Sequence, residues 1–99
     1  MYKLLMSWDI RPGKESEYFE FVVHEFAPKL QRLGIQPTEA WYTLHGDAPQ
    51  ILTGGVAEER ATIVNILHGE EWKSLHKKLM EYVSNFNHKI VLHTGNFQL

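Results

Sequence analysis

Tyr2-Lys3-Leu4-Leu5-Met6-Ser7-Trp8-Asp9-Ile10 alternates with a period of two. In an extended strand Tyr2, Leu4, Met6, Trp8 and Ile10 share one face, while Lys3, Leu5, Ser7 and Asp9 share the other. The first face is wholly apolar and the second is mixed, so the segment reads as a strand with one side in a core. It runs into Arg11-Pro12-Gly13-Lys14 and then into helical spacing. A strand of this kind feeding an amphipathic helix points to a small α+β sheet protein whose second sheet face needs its own cover.

Outward from that strand, Pro12-Gly13 supplies a turn, and Glu15 and Glu17 suit the positive N-terminal end of a helix. Phe19, Val22, Val23, Phe26, Leu30 and Leu33 follow at helical spacing and predict one apolar face. Pro28 removes a backbone donor inside this run and predicts a kink or brief break near Phe26-Ala27. Gly34 is the expected stop. A second strand is expected from Thr38 to His45, Gly46-Asp47-Ala48-Pro49 as a turn, and a third strand from Gln50 to Val56, the two strands pairing as a hairpin. Within the third strand Gly54-Gly55 marks a bulge or a close approach by another backbone.

Ile63, Val64 and Leu67 predict a short helix ended by His68-Gly69. Glu70-Glu71 open another, with Trp72, Leu75, Leu79, Tyr82 and Val83 on one face. Asn85 to Asn87 are expected to break it, and Lys89 to Leu99 to form the last strand, bent at Gly95-Asn96. The order β-α-β-β-α-α-β closes most simply as a four-stranded antiparallel sheet with helices on one face, the ferredoxin-like arrangement.

The chain has 99 residues, 43% of them hydrophobic and 22% charged, with a formal net charge of −2. That length predicts a single domain over 1-99. No apolar run approaches the roughly 20 residues that span a bilayer, and the N-terminus lacks a secretory pattern, so no membrane association is expected. The absence of cysteine excludes disulfides, thiolate nucleophiles and Cys-ligated metals, and fits a cytoplasmic protein. A pI near 6.3 with scattered charge predicts no nucleic-acid binding, which needs a concentrated basic footprint.

In element order, nearly the whole chain resembles the dimeric α/β-barrel superfamily, which includes the antibiotic-biosynthesis monooxygenases and many small uncharacterised proteins. The residues that carry the resemblance are strand one leading into Ile10-Arg11-Pro12-Gly13-Lys14, the hairpin around Gly46-Asp47, and Glu70-Glu71-Trp72 at the last helix. It implies a homodimer in which two open sheet faces pack into a barrel. Leu5, Val91 and either Trp41 or Tyr42 supply apolar surface beyond one face, which independently favours such a pairing. Under this reading Leu4, Met6, Trp8 and Ile10 pack beneath the helices and Leu5, Ser7 and Asp9 face the second subunit. The implied activities are cofactor-independent oxygenation or isomerisation of a small aromatic or apolar molecule. The rival reading is a non-catalytic ligand-sensing or interaction module.

Asp9 and Ser7 lie on the less apolar face, where enclosure would require polar partners. Thr43, His45 and His93 are the candidates, and an Asp9–His45 pair could act as a general base. Alternatively Asp9 caps the following turn and His45 is exposed near the hairpin tip. Trp8, Trp41, Tyr42 and Phe97 could line a pocket for a flat ligand or could simply be core. The six histidines show no His-x-His or His-x-x-x-His pair, so no metal site and no cofactor is expected. Trp72 and His76, four apart on a helix, resemble part of the haem-degrading branch's site. Here Ser7 stands where that branch uses asparagine, and the Trp-to-His spacing is shorter. No phosphate-cradling glycine loop and no Gly-x-Ser-x-Gly elbow is present. The third strand also lacks the basic and aromatic pattern of an RNA-recognition sheet.

Overall fold

The computed structural model describes residues 1–42 and 49–93. Four strands, β1 (Tyr2–Ile10), β2 (Gln36–Tyr42), β3 (Ile51–Ala57) and β4 (Val83–Leu92), form an antiparallel sheet in the order β2-β3-β1-β4. Helices cover one face, giving the expected α+β ferredoxin-like architecture. β1 alternates as read: Leu4, Met6, Trp8 and Ile10 are buried under the helices, and Lys3, Leu5, Ser7 and Asp9 lie on the open side.

Arg11-Pro12-Gly13-Lys14 closes a tight turn in which the Lys14 N–H donates to the Arg11 carbonyl and Gly13 takes φ +83°. That positive φ at the third turn position is what glycine after proline supplies. Helical structure then runs through α1 (Glu15–Phe21), a π turn (Val22–Phe26) and α2 (Ala27–Leu33) without a break. The Ala27 N–H reaches back five residues to the Val22 carbonyl. Pro28, at the first turn of α2, has no N–H to place, and the wider turn before it absorbs that loss.

The extra residue in the π turn corrects the expected helix face. Tyr18, Phe21, Phe26 and Leu30 are buried, whereas Phe19 is 47% and Val23 62% exposed. At about 3.6 residues per turn, an uninterrupted helix that buried Tyr18 and Phe21 would also turn Glu25 and Lys29 inward. The π turn advances the register by one, so Phe26 and Leu30 enter the core instead. Glu25 and Lys29 are left outside, paired with Lys78 and Glu71 of α4 (Glu70–Leu79). Gly34, at φ +116°, ends α2.

α3 (Arg60–Leu67) and α4 lie where the periodicity placed them, but the end of α4 is a correction. Tyr82 and Val83 do not belong to it, because β4 begins at Val83 and includes the Asn85–Asn87 stretch expected to be a break. Asn85 is the only non-glycine residue of positive φ among those described, at +57°, and the β1–β4 register shifts beside it between Ser7 and Asp9. Asparagine tolerates this left-handed conformation, so the polar triplet makes a bulge inside a strand. β2 likewise begins at Gln36, ahead of the expected Thr38, with a register shift between Pro37 and Glu39. Thr43 to Ala48 and Thr94 to Leu99, on which the expected turn at Gly46-Asp47-Ala48 and the expected bend at Gly95-Asn96 fall, lie outside the described residues.

The core is centred on Trp8. Its ring stacks on Phe86 at 5.9 Å and meets Phe26 edge-on at 5.8 Å, and its Nε1–H donates to the Tyr18 hydroxyl at 2.9 Å. Leu4, Ile35, Ile63, Leu79 and Val83 are almost completely enclosed around it. Each such aliphatic side chain contributes about 1.5–3 kcal/mol by burial.

Candidate functional site

The strand register sorts the predicted site residues by face. On the open side, three rows cross all four strands: Trp41–Leu52–Ser7–Asn87, Glu39–Gly54–Leu5–Lys89, and Gln36–Val56–Lys3–Val91. Trp41 is 63% and Leu52 42% exposed. Ser7, Leu5, Leu52, Asn87 and Lys89 together line a shallow depression there. Trp41 and Tyr42, adjacent in a strand, point to opposite faces. Tyr42 pairs with Ile51 on the helix side, and its hydroxyl accepts from Gln50 Nε2 at 3.0 Å. His93 follows β4, its N–H donating to the Met1 carbonyl. Thr43, His45 and Phe97 lie outside the described residues.

Lys3 reaches over β3 to Glu39 of β2, with Nζ 3.0 Å from each carboxylate oxygen. Gly54 leaves room for the crossing, because a Cβ there would stand 3.2 Å from Glu39 Oε1 and 3.4 Å from Lys3 Cδ, so that these side-chain ends would have to shift slightly. Hydrogen bonds from the Thr38 hydroxyl and then from Lys3 hold the Glu39 carboxyl below its ordinary range.

Asp9 is engaged at both oxygens. Oδ1 accepts from the Gln50 backbone N–H and Oδ2 from Asn85 Nδ2, each at 2.8 Å. The Gln50 side chain completes the clamp by accepting from the Ile10 N–H at 2.7 Å. Asp9 therefore ties the end of β1 to the start of β3 and to the bulge of β4. The Asn85 amide first, and the Gln50 N–H second, hold its carboxyl below the ordinary value.

Trp72 and His76 do share a helix face, as four-residue spacing requires, with ring centroids 5.6 Å apart. That face is filled by protein: Phe86 sits 4.5 Å from His76 and 6.4 Å from Trp72, and Phe26 closes on Trp72 from another side. A haem over His76 would have to displace Phe86, so these residues do not fit that group. Among the described residues no cluster of three or more His, Asp or Glu side chains could hold a metal ion.

On the helix-covered side a pocket opens between α2 and β2. It encloses about 80 Å³ and is walled by Trp8, Tyr18, Val22, Phe26, Ala27, Leu30, Ile35 and Ile51, with Met6, Thr53, Gly54 and Gly55 from the sheet. Pro37 and Ala40 of the edge strand also line it and are exposed, so the mouth lies at β2. β2 is exposed along its whole length, so the helices stop short of this edge. No lining side chain among the described residues carries a carboxylate, an ammonium or an imidazole. The polar groups are the Trp8 indole and the Tyr18 and Thr53 hydroxyls, and burial pushes the Tyr18 phenol above its ordinary pKa, keeping it protonated. Of these wall residues the sequence singled out Trp8 alone as a possible pocket residue. Tyr18 falls off the apolar stripe of an uninterrupted helix, and the charge of Glu25 and Lys29, incompatible with burial, was the signal that the helix changes register.

No family model and no curated protein matches this chain. Among solved structures, it superposes on an uncharacterised NIPSNAP domain protein from Burkholderia xenovorans with a TM-score of 0.72 at 11% identity, over 99% of both chains. A candidate antibiotic-biosynthesis monooxygenase from Deinococcus radiodurans gives a TM-score of 0.72 at 9% identity, covering 100% of this chain and 98% of that one. An ethyl tert-butyl ether d (ethd) family protein from Bacillus halodurans gives 0.70 at 12% identity, covering 95% and 100%. The class is thus a ferredoxin-like α+β protein, and the expected resemblance to monooxygenase-type chains is met at the level of fold.

Proposed function

We propose that this protein binds a small, uncharged organic molecule in the pocket between α2 and β2, and that two copies pair through their open sheet faces. The observation that carries the binding reading is the character of the pocket wall. It is apolar, is open at an edge strand, and has no ionised side chain among its described residues. An ionic guest would lose its hydration there without a counter-charge, whereas a neutral one would not. The void is about half the roughly 150 Å³ of a dry engineered cavity that accepts benzene, so a ring-sized guest would project through the mouth.

Oxygenation or isomerisation, the activities implied by the likeness to monooxygenase-type proteins, would call for a group that takes up or releases a proton beside the guest. The Tyr18 phenol stays protonated and so is not a base, and Asp9, whose oxygens accept from Gln50 and Asn85, is not among the described residues lining the pocket. These facts favour binding over catalysis.

Ligand-observed NMR with a set of small neutral fragments, read alongside tryptophan fluorescence, tests the proposal. Ala27→Leu, which places a larger side chain in the wall at a helical position, is expected to abolish binding while leaving the fold intact. Binding that is unchanged in this variant would overturn the reading.

A further inference from the structure

Three side chains bring hydrogen-bonding protons to the pocket wall. The Trp8 indole proton goes to the Tyr18 oxygen at 2.9 Å, and the Thr53 hydroxyl proton goes to the Glu39 carbonyl oxygen at 2.9 Å. The Tyr18 hydroxyl accepts from Trp8, but among the described residues nothing accepts its own proton. Tyr18 is only 3% exposed. Among the described residues no buried side-chain nitrogen or oxygen is without a partner; the partner of the Tyr18 oxygen is Trp8, and its own proton is the function left for a guest. The bond from Trp8 also fixes the role of the phenol: one lone pair is occupied, and the remaining function directed at a guest is donation.

Building on the proposed binding pocket, we infer that its guest carries a neutral hydrogen-bond acceptor, a ketone or ester carbonyl oxygen, seated on the Tyr18 hydroxyl. A carboxylate or phosphate would meet no cation in the described wall, and an alcohol would bring a surplus proton of its own. A carbonyl compound with a short alkyl chain supplies one acceptor and otherwise apolar surface, which matches the single free donor and the aliphatic wall. Donation from Trp8 to Tyr18 polarises the phenol and strengthens the bond it gives onward.

The test uses two probes of one skeleton, methyl ethyl ketone and its methylene analogue, in which C=CH2 replaces C=O. Their affinities are measured by ligand-observed NMR for the wild type, Tyr18→Phe and Ala27→Leu. Tyr18→Phe is expected to weaken the ketone about tenfold, which corresponds to ~1.4 kcal/mol, and to leave the hydrocarbon unchanged. Retained hydrocarbon binding also reports that the variant is folded. Should Tyr18→Phe not fold, the C=O stretch of the ketone bound to wild type decides: a shift to lower frequency than in an alkane solvent supports the bond, and an alkane-like frequency overturns it. If both probes bind, both are blocked by Ala27→Leu, and Tyr18→Phe affects them equally, the pocket stands and the carbonyl assignment falls, the phenol then facing water. If neither probe responds to Ala27→Leu, the pocket reading itself has failed.

Discussion

A β-carbon built on Gly55 would lie 2.5 Å from Ile35 Cγ2 and 3.1 Å from the Gln36 carbonyl oxygen, both on the helix-covered side. The nearest atoms to one built on Gly54 are Glu39 Oε1, Leu5 Cδ2 and Lys3 Cδ, between 3.2 and 3.4 Å, on the open side. The first set is a packed core residue and backbone, and the second consists of side-chain atoms free to shift. Gly55→Ala is therefore expected to cost about 2 kcal/mol or more through overpacking, and Gly54→Ala less than about 1, both read from chemical denaturation. The doubled glycine was visible in the sequence as a bulge or a close approach. Only the strand register separates the two needs, because opposite faces of one strand meet different neighbours. Asp9 has a comparable history. Its place on the mixed face was legible, but its partners Gln50 and Asn85 are 41 and 76 residues away, beyond any local pattern. Its carboxyl is held below the ordinary 3.8, so the stabilisation is complete above that pH and is lost as pH falls from there through the folded value. Asp9→Asn should flatten this acid limb of a stability–pH curve.

At the scale of elements, the helical run 15–33 is where sequence and structure diverge most. Phe19, Val22, Val23, Phe26, Leu30 and Leu33 make an unbroken α-helical stripe, and Pro28 signalled an irregularity at the right place. What the period cannot reveal is that an inserted residue rotates the first half against the second. The π turn has a direct experimental consequence. Removing Val23, which is exposed within it, would leave Tyr18, Phe21, Phe26 and Leu30 on one face of a regular α-helix. The deletion protein is expected to fold with a melting transition close to that of the parent. Deleting Glu20, from the regular segment before it, would misalign the same residues and lower the transition markedly; circular dichroism melts compare the two. The charged pairs Lys29–Glu71 and Lys78–Glu25 tie α2 and the π turn to α4, but as exposed, solvent-screened pairs they add little.

For the whole molecule, the four-stranded antiparallel sheet and its covered face followed from alternation in β1 and from element order, whereas the pocket did not, because it arises where the helices stop short of β2. The open face carries Leu5, Trp41, Leu52, Val56 and Val91, and its pairing with a second copy is the part of the proposal that depends on solution state. Trp41→Glu and Leu52→Glu are expected to give a monomer by light scattering where the parent gives a dimer; a parent that is monomeric at all concentrations would remove that part. A second global property follows from His76. Burial first, and the nearby His88 second, hold its imidazole below the ordinary 6.5. The unfolded chain then takes up this proton before the folded one, so stability declines as pH falls below about 6.5 and levels off only beneath the folded value. His76→Gln should reduce that slope in thermal melts recorded across mild acid.

The pairing of β1 with β4 brings together residues as far apart as Tyr2 and Leu92. Half of the neighbours of the central strand β1 are therefore supplied by the most distant strand, and closing so long a loop delays the reward for ordering the first one. During synthesis, β1 must wait for Val83 and the residues after it to leave the ribosome before the sheet can be completed. Folding should thus be a late, all-at-once event with kinetics set by this closure.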